Sequence, residues 1–118
     1  MLDLIGDELL PLEQHHEQPE AGALKEVIRA LRSHSSVAWV HRQNTGAAKV
    51  GNRFVRFGWR GCSDILGQLR NGRFLAVEVK APKGRLRSEQ TLFLEQVRSN
   101  GGIAFVARDC RDVFAALK

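Results

Sequence analysis

The sequence predicts an α/β fold, a mixed β-sheet flanked by helices. Two segments carry helical periodicity, one near each end of the strand-rich centre. Between them, Asn71-Gly72 joins two β-rich runs, the strongest short hairpin signal in the chain. After that hairpin a helical segment separates the strand at 74–80 from another apolar run at 103–107. A helix crossing over between two neighbouring strands implies that those strands run parallel. A parallel pair beside an antiparallel hairpin makes the sheet mixed.

Each element has its own local reason. Residues 1–19 form a peripheral segment, apolar and acidic, interrupted by Pro11 and without Lys or Arg. The domain proper spans 20–118. A helix is expected over 20–33, because Leu24, Val27, Ile28 and Leu31 fall at i, i+3, i+4 and i+7 and define one apolar face. Residues 37–43 are rich in β-formers and read as a strand. A loop is expected over 44–52 and a second strand over 53–57. Gly58 and Gly61 bracket a turn into a third strand at 63–69, which the Asn71-Gly72 turn folds back onto a fourth at 74–80. Pro82 and Gly84 end that strand. A helix over 88–99 buries Phe93, Leu94 and Val97 and stops at Gly101-Gly102. A short strand at 103–107 and a last helical turn or two at 112–117 complete the chain.

A chain of 118 residues is one domain. No apolar run approaches the roughly 18–20 residues of a membrane span. The acid-containing start is not a secretory leader. Two cysteines, Cys62 and Cys110, make no disulfide framework and fit a reducing cytoplasm. Charge is distributed unevenly. Residues 1–26 hold seven acids against one lysine, whereas 27–118 hold 17 Lys and Arg against six acids, giving local charges of −6 and +11. Between Val27 and Ser63 there are seven basic residues and no acid. Such a body suits a polyanion, since each cation set against a phosphate releases condensed counterions.

Within that basic body, two acids occupy telling positions. Along the strand at 74–80, Leu75, Val77 and Val79 share one face, and Phe74, Ala76, Glu78 and Lys80 the other. A carboxylate and an ammonium on so apolar a strand carry a desolvation cost that an apolar pair would avoid. Asp64 precedes the third strand, and the hairpin brings it to the same sheet end as Glu78. Two converging carboxylates repel each other unless a cation sits between them. Oxygen ligands suit a hard divalent ion, magnesium or manganese (Mg2+ or Mn2+).

Gly61-Cys62-Ser63-Asp64, the run Gly72-Arg73-Phe74-Leu75-Ala76-Val77-Glu78-Val79-Lys80, and Leu86-Arg87-Ser88-Glu89-Gln90 together resemble the virus-type replication-repair nuclease domain, VRR-NUC, of the PD-(D/E)xK nuclease superfamily. The resemblance runs from about residue 20 to the C-terminus. One departure is Ser63, which stands where the motif has proline. The resemblance implies a restriction-endonuclease-like fold and a metal-dependent endonuclease acting on DNA. Asp64, Glu78 and the main-chain carbonyl of Val79 would hold the metal, and Lys80 would position the attacking water or stabilise charge on the phosphate. Gln90 would orient the water or a metal-bound group. Such families add an acid from the first helix. Glu20 projects with Leu24, Val27 and Leu31 and is preferred, while Glu26 lies at the edge of that face and stays open as the alternative.

Arg42, Lys49, Arg53, Arg56 and Arg60 precede Asp64, and Lys83, Arg85 and Arg87 follow Lys80. Both groups flank the acid pair, so they are assigned to the phosphate backbone, which carries affinity without sequence readout. Trp39 and the phenylalanines are expected in the core; Trp59, between Gly58 and Arg60, is a candidate for stacking on a base. Similar stand-alone domains act as homodimers on branched DNA such as Holliday junctions, and a homodimer is expected here. The rival readings are a restriction-type, RNA-directed or flap-cutting and nicking nuclease of the same fold, and a non-catalytic DNA-binding module.

Overall fold

The structure, a computed structural model, describes residues 19–43 and 46–118. The elements run α1 (Pro19–Ser33), β1 (Val37–Arg42), β2 (Gly46–Val50), β3 (Arg53–Phe57), β4 (Ile65–Leu69), β5 (Phe74–Val79), α2 (Ser88–Ser99), β6 (Ile103–Ala107) and α3 (Cys110–Ala116). The peripheral segment assigned to residues 1–19 lies, apart from Pro19, outside the described residues.

The central sheet has four strands in the order β1-β4-β5-β6. β4 and β5 are antiparallel across the Asn71-Gly72 turn, where Gly72 takes φ 94°, a conformation that a Cβ would strain. β5 and β6 are parallel in register Leu75↔Ile103 to Val79↔Ala107, as a crossover through α2 requires. The fold is therefore α/β with a mixed sheet flanked by helices.

The period-two alternation of β5 sets up the three layers. Leu75, Val77 and Val79 pack with Ile65, Leu69, Val27 and Leu31 into a core under α1 and α3. Ala76 faces the other way, into a smaller core with Phe93, Leu94, Val97 and Ala104 under α2. Glu78 has the parity of Ala76 and so lies on the α2 side. Among the described residues no helix is long and apolar enough to cross a membrane.

Two expectations are corrected. The segment expected as a loop at 44–52 contains β2, which pairs with β3 in a separate two-stranded hairpin, Val50↔Arg53 to Gly46↔Phe57. β3 consequently leaves the main sheet and β1 pairs directly with β4, Arg42 opposite Ile65. The turn Gly51-Asn52, with Gly51 at φ 62°, lets the chain reverse after Val50, and two short strands of modest hydrophobicity then satisfy each other's backbone groups. The aromatic residues are also less buried than expected: Trp39, Phe54, Phe74 and Phe114 are exposed. Trp39 uses its indole N–H on Gln68 Oε1 (3.2 Å) at the outer strand.

Candidate active site

The acid pair is assembled where β4 begins and β5 ends. Gly58 and Gly61 take φ 84° and 82°, and a Cβ on Gly61 would stand 2.9 Å from the Glu89 carbonyl oxygen. The turn before Asp64 therefore docks tightly against the first turn of α2. The paired ladder of β4 and β5 ends at Ile65↔Val77. One step further, Asp64 Oδ2 accepts the Val79 N–H (2.8 Å), substituting for the missing strand partner and pinning the carboxylate to β5. The N–H and C=O of one residue in an antiparallel ladder point to the same edge. The Val79 carbonyl accordingly faces the Asp64 side.

Glu78 is 2% exposed. Its Oε2 accepts from Gln90 Nε2 (3.0 Å) and lies 3.7 Å from Lys80 Nζ. Its Oε1 is buried with no hydrogen-bond partner among the described residues. Burial, and then the neighbouring Asp64 carboxylate, push the Glu78 pKa up to about 8, against the opposing pull of Lys80. Cys62 is buried beside the same two acids, and burial followed by their charges pushes its thiol up to about 11. It stays a neutral packing group.

Gln90 is oriented by two partners of opposite kind. Its Oε1 accepts the Arg87 N–H (2.9 Å) at the start of α2, so its Nε2 is directed to Glu78. One amide thereby closes a helix end and fixes a carboxylate oxygen. With Asp64 and Ser63, Gln90 lines a small polar cleft of about 170 Å³, bounded by Arg42 and Arg87. A larger hollow of about 450 Å³, at the far end of β4 by Arg70 and Asn71, contains no acid.

A buried carboxylate oxygen without a donor, beside a second carboxylate, is satisfied by a proton or by a cation. The donor set is all oxygen, which suits a hard divalent ion. Among the described residues no third His, Cys, Asp or Glu completes a metal-binding group. Glu20 is exposed in the first turn of α1 and does not join the pair. Glu26 accepts the Cys110 N–H (2.7 Å) at the head of α3, and that hydrogen bond holds its carboxyl below the ordinary value. Among the described residues, neither of the two helix acids left open by the sequence completes a three-acid group with Asp64 and Glu78.

A family model described as the VRR-NUC domain matches residues 16–109, a span containing Asp64, Glu78, Val79, Lys80 and Gln90. The chain belongs to the VRR-NUC family. It is a nuclease domain of the PD-(D/E)xK type, with DNA as its substrate. No curated protein matches the chain closely enough to add a relative.

The basic residues of this VRR-NUC domain surround the cleft unevenly. Lys83, Arg85 and Arg87 are exposed on the segment between Lys80 and α2. Arg87 and Arg60 both approach Glu89 Oε2, at 3.5 and 3.7 Å. Lys49 and Arg53 are exposed on the β2–β3 hairpin, and Arg56 lies in β3. Trp59 is half-exposed and packs edge-on against Phe93, centroids 5.1 Å apart.

Arg108 belongs to none of the sequence motifs. Its guanidinium Nη1 donates to the Ala81 carbonyl and to that of Gly84 (2.9 Å), while its N–H donates to Asp112 Oδ2 (2.8 Å). Arg108 thus ties the end of β6 to the loop that leaves Lys80. Its one sequence signal is position, an arginine just after the strand parallel to β5.

Proposed function

We propose that this VRR-NUC domain is a divalent-metal-dependent endonuclease that hydrolyses phosphodiester bonds in branched DNA, working as a homodimer. The observation carrying this reading is the buried Glu78 carboxylate, with one oxygen unpartnered, beside Asp64 in a basic cleft.

Asp64, Glu78 and the Val79 carbonyl are the groups that would hold Mg2+ or Mn2+, which when bound supplies charge neutralisation at the phosphate and acidifies a water. The remaining work falls to the chain itself. Val79 N–H and Gln90 Nε2 each fix one carboxylate oxygen, so neither acid rotates away. Lys80 has its ammonium on the same face as Glu78, where it positions the attacking water by a hydrogen bond or stabilises the developing phosphate charge. Arg42 and Arg87 at the cleft, with Lys83 and Arg85 beside it, hold backbone phosphates in register with the acids. One chain carries one such site, and paired cuts across a junction need two.

The test is a panel of duplex, flap, single-stranded and four-way substrates, each with Mg2+, Mn2+ or EDTA. Cutting that depends on either ion and favours the branched substrates is expected. Binding of every substrate with no cutting under any ion would make the domain a binding module.

A further inference from the structure

Phe54 sits where an ordinary folded domain has little use for a phenylalanine. It is 79% exposed, on a two-stranded hairpin outside the main sheet. Such a hairpin has no core of its own and is marginal in isolation. Single exposed apolar residues are common, but here Val50 and Val55 are exposed on the same hairpin. Lys49 lies directly opposite Phe54 and Arg53 opposite Val50, so each face of the hairpin sets one cation beside one apolar side chain. Cross-strand partners share a face, so Lys49 stands on the same face as Phe54.

Two occupants could cover this surface, a second copy of the chain or DNA. Against a second copy of the same hairpin, Lys49 and Arg53 would meet cations, since residues 27–63 contain no acid. DNA offers both complements at once, anionic phosphates and the flat faces of bases. A base face is accessible only where stacking is already broken, at an unpaired base, a flap or a branch point.

The hairpin is also rooted at the active end of the sheet. It enters just after β1, where the Gln43 N–H donates to the Asp64 carbonyl (2.7 Å), and returns through the turn that carries Asp64. Strands of five residues reach about 15 Å at roughly 3.4 Å per residue. At about 3.4 Å per nucleotide along one strand, that is four or five positions from the acid pair.

We propose that the β2–β3 hairpin is a base-stacking wedge, with Phe54 contacting an unstacked base within about five nucleotides of the scissile phosphate and Lys49, on the same face, holding the adjoining phosphate. This rests on the nuclease reading and names the source of its preference for open DNA.

The experiment uses the full chain in EDTA, so that binding is read without cutting. Affinities are measured for a four-way junction and for a continuous duplex of equal length. A 2-aminopurine is placed two to six positions from the branch. The parent is expected to favour the junction and to raise the 2-aminopurine fluorescence at one of these positions. Phe54→Ala should lower the junction-to-duplex affinity ratio about tenfold and remove the fluorescence rise, whereas Phe54→Trp should keep both. A ratio and fluorescence unchanged in Phe54→Ala would overturn the wedge while leaving the nuclease reading intact. Loss of self-association in Phe54→Ala with that ratio unchanged would also overturn it and assign the hairpin to a second copy. If the parent bound neither substrate, the nuclease reading itself would fall, and the wedge with it.

Discussion

Replacing Glu78 by glutamine tests whether the site stores unfavourable electrostatics for function. In the folded, metal-free chain the Glu78 carboxyl has its pKa at about 8, against an ordinary 4.5. Each unit of difference is about 1.4 kcal/mol. At pH 7 the ionisation range between 4.5 and 7 therefore sets a ceiling of about 3 kcal/mol on the stability withheld by this group. Glutamine at 78 carries no charge, can still accept from Gln90 Nε2, and brings a donor to the position where Oε1 has no partner. Against that, Lys80 loses its neighbour at 3.7 Å while remaining buried. A net gain of about 1–2 kcal/mol is expected, which in a domain of this size raises the melting temperature by roughly 4–10 °C.

The sign follows from linkage. The folded-state pKa is raised, so the parent's stability is fully present below about pH 4.5 and is lost as pH rises toward 8. The advantage of Glu78→Gln should thus be small at pH 5 and largest at pH 8. Calorimetry in EDTA at pH 5, 7 and 8 measures it. Added Mg2+ should stabilise the parent more than the variant, because only the parent retains both carboxylates. A variant that melts at or below the parent at pH 8 in EDTA would refute the electrostatic account of the site.

Asp64→Asn keeps an acceptor for the Val79 N–H but removes a charge, so cleavage should vanish while DNA affinity holds or rises slightly; gel-shift and cleavage assays run side by side decide it. Changing Arg53 and Arg56 together to Ala should weaken binding to all DNA sequences alike and reduce the log–log salt slope by about 0.9 per lost phosphate contact, with sequence-dependent losses as the contrary result. Arg108→Ala should release the loop after Lys80, costing about 2 kcal/mol of stability and raising KM for DNA. Arg108→Lys should restore only part, since an ammonium lacks the guanidinium fork that joins the two carbonyls. Protease protection of residues 81–87 equal to the parent's in Arg108→Ala would argue against the clamp.

Much of the site could be read from local pattern. The two faces of β5 follow from a period of two, so the side occupied by Glu78 and Lys80 was set once 74–80 was read as a strand. The Asn71-Gly72 turn dictates that Asp64 and Glu78 meet at one sheet end, because equal arms from a tight turn bring their far ends together. The parallel β5–β6 pair follows from the helix between them. Gln90, at the start of a helix whose apolar stripe includes Phe93, Leu94 and Val97, falls on the sheet-facing side for the same periodic reason.

Tertiary structure decided the rest, and each case is a choice between partners that local sequence makes equally available. Residues 53–57 have strand character either way; only the chance to pair with 46–50 across Gly51-Asn52 takes them out of the sheet and leaves β1 beside β4. Glu20 and Glu26 are both acids on one helix, and the Cys110 N–H, 84 residues along the chain, is what engages Glu26. Phe54 is a core residue by composition and becomes exposed because, among the described residues, no layer packs over its hairpin. Arg108 becomes a loop clamp through carbonyls 24 and 27 residues away. Periodicity encodes which way a side chain faces; which distant group it meets is settled only when the layers pack.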